Sequence, residues 1–134
     1  ICRYLEDLYP EPSLFGSSSI EKAAIEMWQN RVVFELMLPL AMTFRHTHPA
    51  MAQMENQNVS YGEQQRDVAL GSLKYFDKHL AGSEYIAGDA FSFADIQVIT
   101  TIQMFLPLNK IPMEDFENIS SYNELLSARP SCQA

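Results

Sequence analysis

Apolar residues recur every three or four positions along most of this chain. No stretch alternates apolar and polar residues long enough to read as a strand. Tyr4, Leu5 and Leu8 predict a short leading helix over residues 1–9, stopped by Pro10. Pro10-Glu11-Pro12-Ser13 reads as an extended connector, because each proline disfavours helix in the residue before it. The connector continues through Gly16 to Ser19 and is the most linker-like stretch of the sequence. Ala24, Ile25, Trp28, Val32, Leu36, Leu40 and Phe44 then line one long helix that ends between Arg45 and His48, before Pro49. Pro39 lies inside it. There it removes one backbone hydrogen bond and presses on the Glu35 carbonyl, which predicts a kink.

Val68, Leu73, Phe76 and Leu80 predict an amphipathic helix, with Arg66, Lys74 and Lys78 available for its wet side. Gly82 fits the left-handed residue after its end. A turn over residues 85–89 leads to a nearly all-apolar helix that begins at Phe93 and is ended or kinked by Pro107. A last helix is expected over residues 119–128, closed by Pro130. Three start signals support this division, each a Ser followed three residues later by an acid: Ser18 with Glu21, Ser60 with Glu63, and Ser92 with Asp95. Phe91 and Ile96 flank the third pair where a hydrophobic staple belongs. The expected fold is all-α: four main helices and a leading one, with the helix after Ser92 at the centre of the core.

Composition narrows the partners. With 47% hydrophobic and 19% charged residues, the 134-residue chain can fold as one globular domain. A formal net charge of −8 would repel nucleic-acid phosphates, and no Lys or Arg run marks a membrane surface. The longest apolar run is too short and interrupted to cross a bilayer. Glu6 and Asp7 break up the first residues, so they do not read as a signal peptide. The chain lacks an initiating Met and starts inside a helix, which suggests a piece of something longer. Cys2 and Cys132 are read as reduced thiols of a cytosolic protein. No Cys-x-x-Cys indicates zinc or a dithiol motif. His46-Thr47-His48 has only His79 as a further histidine and no adjacent acid. The expectation there is a polar helix end and no metal site.

The order of helices, together with four local motifs, resembles the glutathione transferase superfamily. Ile1-Cys2-Arg3-Tyr4-Leu5 looks like the helix that closes its thioredoxin-like N-terminal domain, and Pro10 to Gly16 looks like the interdomain linker. Glu84-Tyr85-Ile86-Ala87-Gly88-Asp89, followed by the Ser92–Asp95 box, looks like the family's loop and N-cap. Ala128-Arg129-Pro130 looks like its usual ending of the following helix. The resemblance divides the chain into residues 1–10, the end of the first domain; residues 11–17, the linker; and residues 18–134, a C-terminal-domain-like helical bundle.

By this resemblance the full protein is a cytoplasmic, homodimeric detoxification enzyme. It would conjugate glutathione to, or reduce, an electrophilic small molecule. Glutathione, the co-substrate, would be held mainly by the thioredoxin-like domain. The Ser, Tyr or Cys that activates its thiol would fall upstream of Ile1, so no catalytic residue is expected here. The resemblance places the pocket for a hydrophobic electrophile against Met37, Leu38, Ala41, Met104 and Leu108. Met37 also stands where one bacterial class carries an assisting His, and a thioether cannot move that proton. Arg31 and Glu35, four apart on the long helix, are candidates for the dimer interface. Ser92 and Asp95 are assigned to N-capping. The alternative is a non-enzymatic member of the superfamily, a dimerisation or scaffold module in a translation complex or a stress regulator.

Overall fold

The computed structural model describes residues 1–132. The last two residues of the expected 18–134 unit lie outside them. Helix α1 (Cys2–Leu8) leads through the linker to α2 (Ser19–Arg31). A π-helical stretch (Val32–Met37) joins α2 to α3 (Leu38–Thr47) without a break. Then come α4 (Val59–Leu80), α5 (Phe93–Leu108) and α6 (Glu117–Ser127). The described residues contain no strand, only an isolated bridge between Tyr85 and Gly88.

Buried side chains repeat once per turn on the helices that follow the linker. They are Trp28, Val32, Leu36 and Leu40 on the long helix, and Ala69, Leu73, Phe76 and Leu80 on α4. Ala94, Val98, Ile102 and Leu106 continue the core on α5, and Ile119, Tyr122 and Leu126 on α6. Helix α5 packs against α2, the π stretch and α3, while α4 packs against the π stretch, α3 and α6. Seven of the sixteen α5 residues are buried, so it is a core helix, but Thr100, Gln103, Met104, Pro107 and Leu108 leave it one exposed face.

Pro39 acts on the turn before it. It cannot donate to the Glu35 carbonyl, and the preceding turn widens, so that the Leu38 N–H donates to Val33 O five residues back. The result is a wide turn inside a continuous helix.

Four local expectations need correction. Helix α4 starts at Val59, with the Asn58 side chain accepting from the Tyr61 N–H at 3.1 Å. Asn caps as well as Ser and comes first, so Ser60 lies inside the first turn and forms no box with Glu63. Gly82 is not left-handed; the positive-φ glycines are Gly16 and Gly88. The helix closes instead by tightening, with the Gly82 N–H donating to His79 O at 3.2 Å. Val68 is 49% exposed, because Ala69, one full turn before Leu73, takes the buried position. Arg66 does not face solvent freely: it donates to the Asn109 carbonyl at 2.6 Å, just past the end of α5.

Two close approaches depend on glycine. Gly16 has φ 88, and a Cβ there would lie 2.8 Å from Glu21 Cβ. A Cβ on Gly62 would lie 2.6 Å from Thr47 Cγ2, so α3 and α4 meet closely at that point.

Candidate functional site

The five expected pocket residues sit on elements that pack together. Met104 and Leu108 lie four apart on one face of α5 and are 60% and 38% exposed. On the long helix Leu38 is 42% exposed, and Met37 and Ala41 are half-buried. Large apolar side chains that stay out of the core are candidates for covering a hydrophobic ligand or partner. Phe34, one turn earlier and 63% exposed, extends the series and was missed by the sequence reading. Its spacing from Met37 and Leu38 was the available signal. Two clefts lie elsewhere. One, of about 560 Å³, runs between α1, the linker and Lys22. The other, of about 470 Å³, lies between the start of α2 and residues 87–92. None of the five residues lines either cleft; Leu38, Met104 and Leu108 are exposed surface.

Ser92 and Asp95 form a capping box at the start of α5. The Ser92 N–H and hydroxyl both donate to Asp95 Oδ2 at 2.7 Å. The other oxygen accepts from the Ile86 N–H at 2.7 Å and from the Tyr122 hydroxyl at 2.6 Å. Asp95 is fully buried, so this one carboxylate joins the loop, α5 and α6. Burial pushes the Tyr122 hydroxyl well above its ordinary range, and the charge and hydrogen bond of Asp95 push the same way. Phe91 packs edge-on against Tyr85 and lies under the Arg129 guanidinium, 3.7 Å from its centroid. All four hydrogen bonds to Asp95 join it to structural groups of the loop, α5 and α6, so its chemistry here is cohesion.

Arg31 and Glu35 make a two-pronged ion pair, with N–O distances of 2.9 to 3.1 Å. Arg31 also donates to the Tyr75 hydroxyl at 2.6 Å and lies over the Trp28 and Tyr75 rings. The Glu35 hydrogen bond raises the guanidinium pKa further, against an opposing effect of burial. The pair is therefore tied into α4 rather than loose on one helix.

The histidines hold backbone. His46 Nδ1 accepts from the Asn58 N–H and His48 Nδ1 from the Ala50 N–H, both at 3.2 Å, while His79 Nε2 donates to Ile86 O at 3.0 Å. No group of three or more His, Cys, Asp or Glu among the described residues is placed to hold a metal. Arg45 pairs with Glu55. Cys2 and Cys132 are free and exposed. No helix of the described residues is long and apolar enough to cross a membrane.

Comparison with known proteins gives this architecture its relatives. The family profile described as "Glutathione S-transferase, C-terminal domain" matches residues 36–130. "Glutathione S-transferase 2" of Saccharomyces cerevisiae is 35% identical over 134 residues, 98% of this chain and 57% of that protein. "Glutathione S-transferase stcT" of Emericella nidulans is 30% identical over 120 residues, 88% of this chain and 54% of that protein. The crystal structure of Gtt2 from Saccharomyces cerevisiae matches with a TM-score of 0.88 at 34% identity, over 98% of this chain and 64% of that one. A class Gtt2 transferase of Vibrio parahaemolyticus gives 0.85 at 32% identity, over 99% and 62%. The chain spans little more than half the length of the curated relatives it matches. It belongs to the glutathione S-transferase family, whose C-terminal helical domain it carries.

Proposed function

We propose that this chain supplies the electrophile-pocket wall of a cytoplasmic glutathione S-transferase that conjugates glutathione to, or reduces, electrophilic small molecules. The observation that carries this reading is the exposed apolar set on two packed elements: Leu38 beside half-buried Met37 and Ala41, and Met104 and Leu108 on α5. Flexible Met and Leu side chains suit electrophiles of varied shape. Residues 1–10 end a preceding thioredoxin-like domain, residues 11–17 link the two, and residues 18–134 form the helical domain. The first domain holds glutathione and lowers its thiol pKa. The wall holds the electrophile beside that thiol, so that proximity and a ready thiolate share the acceleration. No metal takes part in this scheme. Arg31 and Glu35 belong to a homodimer interface, and the chain alone has no conjugating activity.

The test uses the full-length protein, glutathione, a chromogenic aryl halide and immobilised glutathione. Turnover and retention are expected. Met104→Asp is expected to lower kcat/KM for the aryl halide about tenfold or more while KM for glutathione stays put, since a charge replaces an apolar contact. Failure of the unsubstituted protein in both assays would overturn the enzymatic reading in favour of a scaffold.

A further inference from the structure

Helix α1 buries none of its residues, and Tyr4, Leu5 and Leu8 are all exposed. Hydrophobic packing therefore does not fix it to the bundle. A carboxylate does. Glu6 Oε1 accepts from the Ser13 hydroxyl at 2.8 Å, the Leu14 N–H at 2.9 Å and the Phe15 N–H at 3.1 Å. Oε2 also accepts from the Leu14 N–H, at 3.2 Å. Two of these three linker residues, Leu14 and Phe15, are anchored on their other side. Leu14 O accepts from the Phe93 N–H at 2.8 Å, one of the N–H groups that the first turn of α5 cannot satisfy internally. Phe15 is buried, with its ring stacked on Phe93 at 4.8 Å. Polar contacts thus run from α1 through the linker to the start of the core helix.

We propose that Glu6 is a positioning residue, whose carboxylate clasps residues 13–15 and so sets how α1 sits on the helical bundle. The remaining tie is weaker. Arg3 reaches Glu26 at 3.3 Å with both side chains mostly exposed, and lies 5.1 Å from the Phe15 centroid. Burial pushes the Glu6 carboxyl upward, but the Phe15, Ser13 and Leu14 hydrogen bonds outweigh it and hold the group below its ordinary value. The ionised form is the one that clasps. A further consequence rests on the reading above: if α1 ends the thiol-activating domain, Glu6 helps to aim that domain at the α3–α5 wall.

The native cysteines supply the test. Cys2 lies on α1 and Cys132 beyond α6, and both are free and exposed. Nitroxide labels on the two, diluted with unlabelled chain, report the α1-to-bundle distance by double electron–electron resonance. One narrow distribution is expected for the parent. Glu6→Ala is expected to broaden it at least about twofold and to speed amide exchange at Leu14 and Phe15 about 10- to 100-fold, while the urea midpoint of the bundle barely moves. Glu6→Gln keeps one acceptor oxygen and is expected to recover most of the parent distribution. Ser13→Ala removes one donor without touching α1 and is expected to broaden it partly. A Glu6→Ala distribution that superimposes on the parent's overturns the proposal, and so does one that broadens only because the bundle unfolds. Failure of glutathione turnover in the longer protein would leave these distances as they are, so the two readings fail separately.

Discussion

Replacing Asp95 with Ala should be among the most damaging single changes in this chain. The carboxylate is fully buried and accepts four hydrogen bonds of 2.6 to 2.7 Å, two from backbone N–H groups and two from hydroxyls. Loss of an ordinary helix cap costs about 1 kcal/mol. Here the Ile86 and Ser92 N–H groups would lose this acceptor in the interior, at about 1–3 kcal/mol each, while the two hydroxyls can rotate toward other acceptors. Relief from burying a charge offsets part of this. The balance is a loss of about 3–5 kcal/mol, a large share of the ~5–15 kcal/mol that holds a domain together. Urea unfolding followed by far-UV circular dichroism measures it, with the slope checked for two-state behaviour. Tyr122→Phe removes one bond and should cost about 1–2 kcal/mol. Its effect should shrink in the Asp95→Ala background, because the two share one interaction. A loss below about 1 kcal/mol for Asp95→Ala, or strict additivity with Tyr122→Phe, would refute the reasoning.

Other perturbations follow from the same contacts. The unfolded Tyr122 hydroxyl ionises near pH 10 and the folded one well above it, so above pH 10 the unfolded chain binds fewer protons. Stability should therefore fall as pH rises past 10, by up to about 1.4 kcal/mol per unit, and Tyr122→Phe should remove that part of the slope. At the start of α2, the Ser17 hydroxyl and the Ser17 and Ser18 N–H groups hold the Glu21 carboxyl down to about 2. Its contribution is present above pH 4.5 and lost as pH falls toward about 2. A carboxyl NMR titration checks this, and a midpoint above 4 would contradict it. Gly62→Ala should destabilise by about 1–3 kcal/mol, because its Cβ meets Thr47 Cγ2 at 2.6 Å. Gly71→Ala, in open space on the same helix, should instead stabilise by up to about 1 kcal/mol in thermal melts.

What could be read from the sequence follows the range of the interactions. The boxes at Ser18–Glu21 and Ser92–Asp95 involve residues three apart, and both are present in the structure. The per-turn spacing of Val32, Leu36 and Leu40 likewise identifies buried positions. At the start of α4, two capping residues lie close together and either could begin a helix. Spacing alone cannot rank Asn58 against Ser60. Long-range contacts leave no local trace: Tyr122 meets Asp95 across 27 residues, and Arg66 meets Asn109 across 43. The hydroxyl that completes the Asp95 cluster was therefore invisible, as was the job of Arg66. The candidate wall was legible only through resemblance. Apolar spacing says that Met104 and Leu108 share a face, while the packing around α5 decides that this face is exposed.

The central claim is that these helices hold the electrophile while the thiol chemistry resides in another domain. The direct test is glutathione conjugation of an aryl halide by the purified 134-residue chain, after circular dichroism has shown it folded. No turnover above the uncatalysed rate is expected. Clear saturable turnover by this chain alone would contradict the account.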